Sequence, residues 1–504
     1  MRLKNILVGL SWILVSGLHS CVDDRGNYDY TDVDELIPIT ISGLEDTTVM
    51  MRSVLHIVPE LGNIKDEARY SYLWYTIPKN VFGYIPRRDT LSREKELNVE
   101  ITYESGNYHL IYEIRDTLLD VYTNKDVTMV VQSNIGKGWY VLKDVNEKTD
   151  FDYVNLKGEK TENLIAEAGE EALLGKAVKI VFQGELYTPV IENPDGTSTQ
   201  LDNKKAFFVL SEQDMKIFNA DNMNLFKTFE ECFYEAPGVR RLQNCVYNSW
   251  NDYLINDGKI YSICGQSMNS GMFGFARPGM YDLHSDMITT YYGTLLFDKN
   301  NRTFYDAAAN GVTLNKLAED IGGGISPSTM PVDLIRMLPR DETNPGLGYA
   351  VMENKDKGEY YVFDISYDMT NYPFVGIDTI PVSCEMPRAE IMTANRVASC
   401  IYYVKNEPGE DVLKVYKSIA GDNRESELKK FPGEKIVYIE NVVTPYGTAP
   451  ADVFNNLVVL TNSSSGWKLY RFNIIGQTPE IETEPVVVYS GQGNARYVMF
   501  RGKN

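Results

Sequence analysis

The chain has 504 residues, a formal net charge of −21 at neutral pH and 43% hydrophobic residues. That hydrophobic share excludes wholesale disorder, the length predicts two or more domains, and the acidic balance argues against nucleic acid, whose phosphates it repels. Six cysteines with no C-x-x-C spacing argue against a disulfide framework or a zinc knuckle.

The N-terminus opens with Arg2 and Lys4, followed by an apolar run from Ile6 to Val15. The run is too short to span a bilayer core of roughly 30 Å and fits the h-region of a secretory signal. Leu18-His19-Ser20-Cys21 then resembles the lipobox read by lipoprotein signal peptidase, with His19 departing from the usual small residue. Residues 1–20 are therefore read as a signal peptide and Cys21 as the lipidation site. Lipoproteins of this kind carry three acyl chains, more than the two signals that stable anchoring requires. Asp23 and Asp24, directly after Cys21, resemble a surface-export signal of lipoproteins, against the alternative of a merely acidic linker. The expectation is an outer-membrane protein facing the cell exterior, held through its lipid anchor only, because no second apolar run is long enough to span a bilayer. The other five cysteines read as free buried thiols.

Residues 21–35 are polar, contain Gly26, and read as a lipidated tether. From 36 to 134 the pattern is all strand: Ile37 to Ile41, Thr48 to Val58, Tyr70 to Tyr75, Tyr108 to Ile114 and Val127 to Val131, alternating at period two in the clearest runs. Short strands around one central tryptophan predict an immunoglobulin-like sandwich with Trp74 in its core. The Tyr72-Leu73-Trp74 strand, Leu91-Ser92 before Leu97, and Gly106-Asn107-Tyr108 leading to Arg115-Asp116 resemble the PKD-like lipoprotein family, as does Asp23-Asp24-Arg25-Gly26-Asn27-Tyr28. The resemblance covers this first domain. It implies a PKD-like sandwich and a surface accessory protein of a SusC/SusD-type nutrient importer.

Residues 135–504 contain seven hairpin-like segments: Trp139 to Val154, Ala206 to Phe218, Asp252 to Cys264, Gly293 to Tyr305, Gly348 to Ile365, Ala398 to Tyr416 and Leu457 to Phe472. Their turns are chemically apt, as in Asn256-Asp257-Gly258 and Ser463-Ser464-Ser465-Gly466. Recurrence at blade-sized intervals predicts a seven-bladed β-propeller, with a pair of β-sandwiches as the alternative. The whole chain is thus expected to be all-β. Weak helical periodicity is confined to Glu162 to Leu174 and Val312 to Ile321.

Chemical motifs are sparse. Past the signal peptide the histidines are His56, His109 and His284, far apart, and neither H-E-x-x-H nor G-x-S-x-G occurs. Gly322-Gly323-Gly324 lacks the Gly-Lys-Ser/Thr of a phosphate loop. No catalytic residue, metal site or cofactor is assigned. One long segment, Gln266 to Tyr292, is rich in rings, and Phe273, Phe275, Tyr281, His284, Tyr291 and Tyr292 are its candidate ligand contacts. Rings of this kind stack on sugar faces and peptide side chains alike; the alternative is packing between blades. Trp250 and Trp467 read as packing residues. The resulting expectation is a non-catalytic protein that captures a neutral or basic glycan or peptide oligomer, or docks on a SusC/SusD-type importer. The alternative is a glycan lyase or hydrolase using propeller-face carboxylates, a chemistry set by carboxylate spacing in space.

Overall fold

The computed structural model describes residues 39–79, 87–133, 135–187, 190–192, 198–200, 203–247, 251–264, 271–308, 311–317, 325–341, 345–369, 372–418, 424–444 and 453–502. The expectations for residues 1–20, Cys21, Asp23, Asp24, the rest of the tether and Trp250 lie outside them. The chain divides into two compact units, one ending at Gln132 and one running from Ser133, with Tyr103–Ser105 grouped with the second. The sequence placed that division after 134.

The first unit is built on a five-stranded sheet in the order Thr47–Met50, Val121–Gln132, Gly106–Asp116, Tyr70–Pro78, Asp89–Ser92. Its first pair is parallel and the rest are antiparallel. Period-two alternation sends Leu110, Tyr112 and Ile114 inward, each fully buried. Trp74 is fully buried opposite Tyr112, with the rings stacked at 4.2 Å. Its indole nitrogen donates to the Glu94 carbonyl at 3.1 Å, so the polar end of the ring is satisfied. Asp116, at the end of its strand, takes a two-point ion pair from Arg69 and bonds from the Leu118 and Leu119 amides. The Arg69 bond, with the amides, holds the Asp116 carboxyl below the usual carboxylate range.

The second unit contains, among the described residues, seven antiparallel sheets of three to five strands along the chain, and a two-stranded sheet of Val190–Glu192 and Ser198–Gln200. The first of the seven is formed by Gly138–Val145, Lys148–Asn155, Lys160–Thr161 and Leu173–Leu174, with Asn494–Arg501 beside Gly138–Val145. The others begin at Ala177–Tyr187, Leu242–Tyr247, Ile288–Thr289, Asp333–Asp341, Met392–Ala394 and Lys435–Val443, and each continues strand by strand outward. The last described strand therefore joins the sheet that holds the unit's first described strand.

All seven sequence hairpins are antiparallel pairs within these sheets, one in each. Their runs are continuously apolar because both faces are covered. In Ala206-Phe207-Phe208-Val209-Leu210, Phe207 and Val209 pack toward the first sheet, whereas Ala206, Phe208 and Leu210 pack toward the third. The same two-sided packing joins each sheet to the next, and the seventh to the first through Trp139, Val141, Val458, Leu460 and Trp467. The Asn256–Lys259 turn places Asp257 at φ 51 and Gly258 at φ 68, the left-handed pair of a two-residue hairpin loop. The helical expectations shrink: Leu164–Glu167 is one short helix, and Asn315–Lys316 is a strand inside the segment read as helical from Val312. Sheet pairing overrides a weak local preference there.

Candidate functional site

The first strand of each sheet from the second to the seventh, or the residues just before it, lines one cavity of about 590 Å³ together with Asn494–Arg501. Strands otherwise apolar carry its polar groups: Lys179 lies between Val178 and Ile180, Arg336 between Ile335 and Met337, and Glu440 after Ile439. The neighbouring positions of each strand are committed to the interfaces between sheets, so these side chains fall on the remaining, open edge.

The cavity's charges are organised by bonds between neighbouring strands. Lys179 donates to Asn244 Oδ1 at 2.8 Å, and Asn244 donates to the Ser285 carbonyl at 2.7 Å. Asp286 accepts from Arg336 Nε at 2.8 Å and from the Met337 amide at 2.9 Å. Arg396 donates to the Asn441 carbonyl at 3.0 Å and lies 3.8 Å from Glu440. Arg496 binds Asp144 at 2.7 Å. Tyr438 donates to Glu440 Oε2 at 3.1 Å and packs on Tyr497; burial pushes its hydroxyl pKa well up. Burial does the same to Tyr247, with added repulsion from Asp252 and Tyr291. Both carboxylates of the lining thus sit against guanidinium groups. Among the described residues no group of His, Cys, Asp and Glu could hold a metal ion.

The aromatic segment predicted as a ligand surface is split. Phe273 is fully buried between the second and third sheets, bridged to Phe233. Tyr281 is 6% exposed between the third and fourth, under the Lys259 ammonium, its hydroxyl bonded to the Arg277 carbonyl. These two are core residues, which corrects their assignment as contacts. The physical reason lies at the edge of the third sheet. Gly274, Arg277 and Leu283 donate their amides to Ser262, Ile260 and Gly258, so the segment covers the edge strand and its alternate rings turn inward. Phe275 is 68% exposed but does not line the cavity. His284 is mostly buried; its Nδ1 accepts from the Asp286 amide at 3.1 Å, and burial lowers its pKa. Tyr291 and Tyr292 form an exposed edge-to-face pair, with Tyr291 near the cavity residue Tyr247. Trp467 is buried and donates to Asp152 at 3.0 Å. Cys232, Cys245, Cys384 and Cys400 are free and buried, and burial raises each thiol.

The sequence reading missed the cavity residues Lys179, Arg336, Arg396, Glu440 and Arg496. A signal was present for several of them, a single charge inside an apolar strand, which no solvent-facing alternation explains.

No curated protein matches the chain. Among solved structures it is similar to a quinoprotein alcohol dehydrogenase-like protein of Bacteroides thetaiotaomicron, at 15% identity and a TM-score of 0.43, over 91% of this chain and 96% of that one. It is also similar to Kluyveromyces lactis Hsv2p, at 10% identity and TM-score 0.32, over 60% and 75%. A third likeness is to Pseudomonas brassicacearum lignostilbene dioxygenase, at 9% and 0.32, over 86% and 94%. Residues 21–177 match the PKD-like family, so the N-terminal part of the chain is PKD-like, with the match reaching past the first unit into the first sheet of the second.

Proposed function

We propose that the seven sheets are the blades of a β-propeller and that the protein is a non-catalytic surface lipoprotein. In this reading a lipid on Cys21 holds it to the outer membrane. The second unit captures a nutrient oligomer, glycan or peptide, for a SusC/SusD-type importer, or docks on that importer. The propeller assignment is supported by cyclic packing in which the seventh sheet meets the first and the two ends of the unit share a sheet. The lipid anchor is supported by the Leu18-to-Cys21 motif and by the PKD-like match that begins at Cys21.

One observation carries the binding role: a single polar cavity is lined from all seven sheets, and its charged side chains are held in place by partners on adjacent strands. Such preorganised groups, with the exposed Tyr291–Tyr292 pair nearby, suit recognition. The purified full chain is expected to bind members of a glycan and peptide panel in calorimetric titration and to return them unchanged. Turnover of any member, abolished by Asp286→Asn or Glu440→Gln, would replace this reading with a glycan-active enzyme.

A further inference from the structure

The cavity has a charge opposite to that of the chain. The protein carries −21 overall, yet the cavity is lined by four cationic side chains, Lys179, Arg336, Arg396 and Arg496, against two carboxylates, Asp286 and Glu440. With Asp144, the partner of Arg496, counted in, the balance is still positive. The guanidinium groups also have donors to spare. Each carries five N–H donors. Arg496 is held through Nε, and Arg336 through Nε and one terminal nitrogen. The screening length at physiological salt is about 8 Å, so charges farther than that from a ligand are damped, whereas the lining acts at contact range.

We propose that the cavity recognises a small ligand through a carboxylate, the group that the fork of a guanidinium matches in geometry and charge. The inference rests on the binding role proposed above and names the chemistry of its ligand. It reverses the expectation, drawn from net charge, of a neutral or basic ligand. The acidic exterior still opposes long polyanions, so the fitting ligand carries one or a few carboxylates. A uronic-acid oligosaccharide and a free peptide C-terminus both present that group.

The test pairs acids with their neutral counterparts. The full chain is titrated with trigalacturonic acid and its methyl ester, and with a tripeptide bearing a free or an amidated C-terminus. The expected result is a preference of about tenfold or more for one acid over its neutral partner. That preference weakens as salt rises and is lost in Arg336→Gln and Arg396→Gln. Arg496→Gln is the safeguard against misfolding, because Arg496 is solvent-exposed and, among the described residues, its side chain bonds Asp144; its melting curve should match that of the parent. The sugar and peptide arms tell the two sources apart. Equal binding of an acid and its neutral partner, abolished by these substitutions, would overturn the carboxylate inference and leave the binding role standing. Acid binding indifferent to all three substitutions would place the ligand elsewhere and overturn the inference. No binding by any of the four probes would overturn it, while the wider glycan and peptide panel decides the binding role itself.

Discussion

Asp252 shows what a single buried carboxyl does in this protein. It is 1% exposed, in the strand Asn251–Asn256, and takes one bond from Gln183 Nε2 at 3.1 Å. Its Oδ1 and the Gln183 Oε1 are both buried, and among the described residues no donor bonds either. A protonated Asp252 supplies a donor, and burial does push this carboxyl well above the usual range, against the smaller opposing effect of Gln183. The neighbouring Tyr247 hydroxyl and Cys245 thiol are themselves held neutral by burial. The unfolded chain ionises Asp252 near its ordinary value of about 3.9. The stability it contributes is therefore complete below about pH 4 and falls as pH rises, until the folded-state carboxyl also ionises. The slope from this one group is at most about 1.4 kcal/mol per pH unit. Asp252→Asn should remove that slope, so urea melts of parent and variant from pH 4 to 9 should diverge in favour of the variant. Parallel curves would mean that Asp252 is ionised in the folded protein. Nothing in the local pattern marks this burial: Asp252 opens a run that reads as an ordinary polar-to-apolar strand start.

At the scale of elements, the strand Asn494–Arg501 carries the most weight. It pairs with Gly138–Val145 and brings Arg501 into the interior at 1% exposure. There Arg501 donates to the Ala220 carbonyl at 2.7 Å, pairs with Asp221 at 2.9 Å, and lies 4.5 Å from the Phe182 ring centre. The pair Lys143–Asp152, at 2.7 Å and 3%/0% side-chain exposure, ties the first sheet to Trp467 of the seventh and to the Gln492 carbonyl. Removing Arg501 leaves the Ala220 carbonyl without that donor and the space beside Phe182 unfilled, while Asp221 keeps Lys205 at 3.4 Å, so the expected cost is about 1–3 kcal/mol. Arg501→Ala should lose that much in urea denaturation. Met280→Ser, at a side chain 95% exposed, should stay within about 0.5 kcal/mol of the parent. A small loss for Arg501→Ala would show that the Arg501 contacts carry little of the unit's stability. The seven hairpins were legible in the sequence because each is a local, strongly apolar pair. The partnership of residues 138–145 with 494–501 was not, because strands so far apart carry no local signal of pairing.

For the whole molecule, the expectation from sequence is a leader, a tether and two folded parts; the described residues divide at Gln132 and Ser133. No helix among them is long and apolar enough to cross a membrane. If the Leu18-to-Cys21 motif is the anchor, Cys21→Ala should abolish acylation and move the protein from the membrane fraction to the soluble fraction. Fractionation after a high-salt wash with metabolic lipid labelling checks this, and a variant that stays membrane-bound would place the anchor elsewhere. The measurement is independent of the cavity, so it tests location apart from binding.

What the sequence determined by itself is what short-range physics encodes. Period-two alternation marked the strands that carry Trp74 and Tyr112, unbroken apolar runs marked strands covered on both faces, and Asp257-Gly258 marked a tight turn. Tertiary structure alone decided which exposed-looking groups face one another. Phe273 and Tyr281 belong to the core because their segment covers the edge of the third sheet, and Lys179, Arg336, Arg396 and Arg496 converge because four segments distant in the chain bring them to one cavity. Periodicity reports which face of a strand is buried; the partner across that face is chosen by packing among residues distant in the chain, where a one-dimensional pattern carries no information.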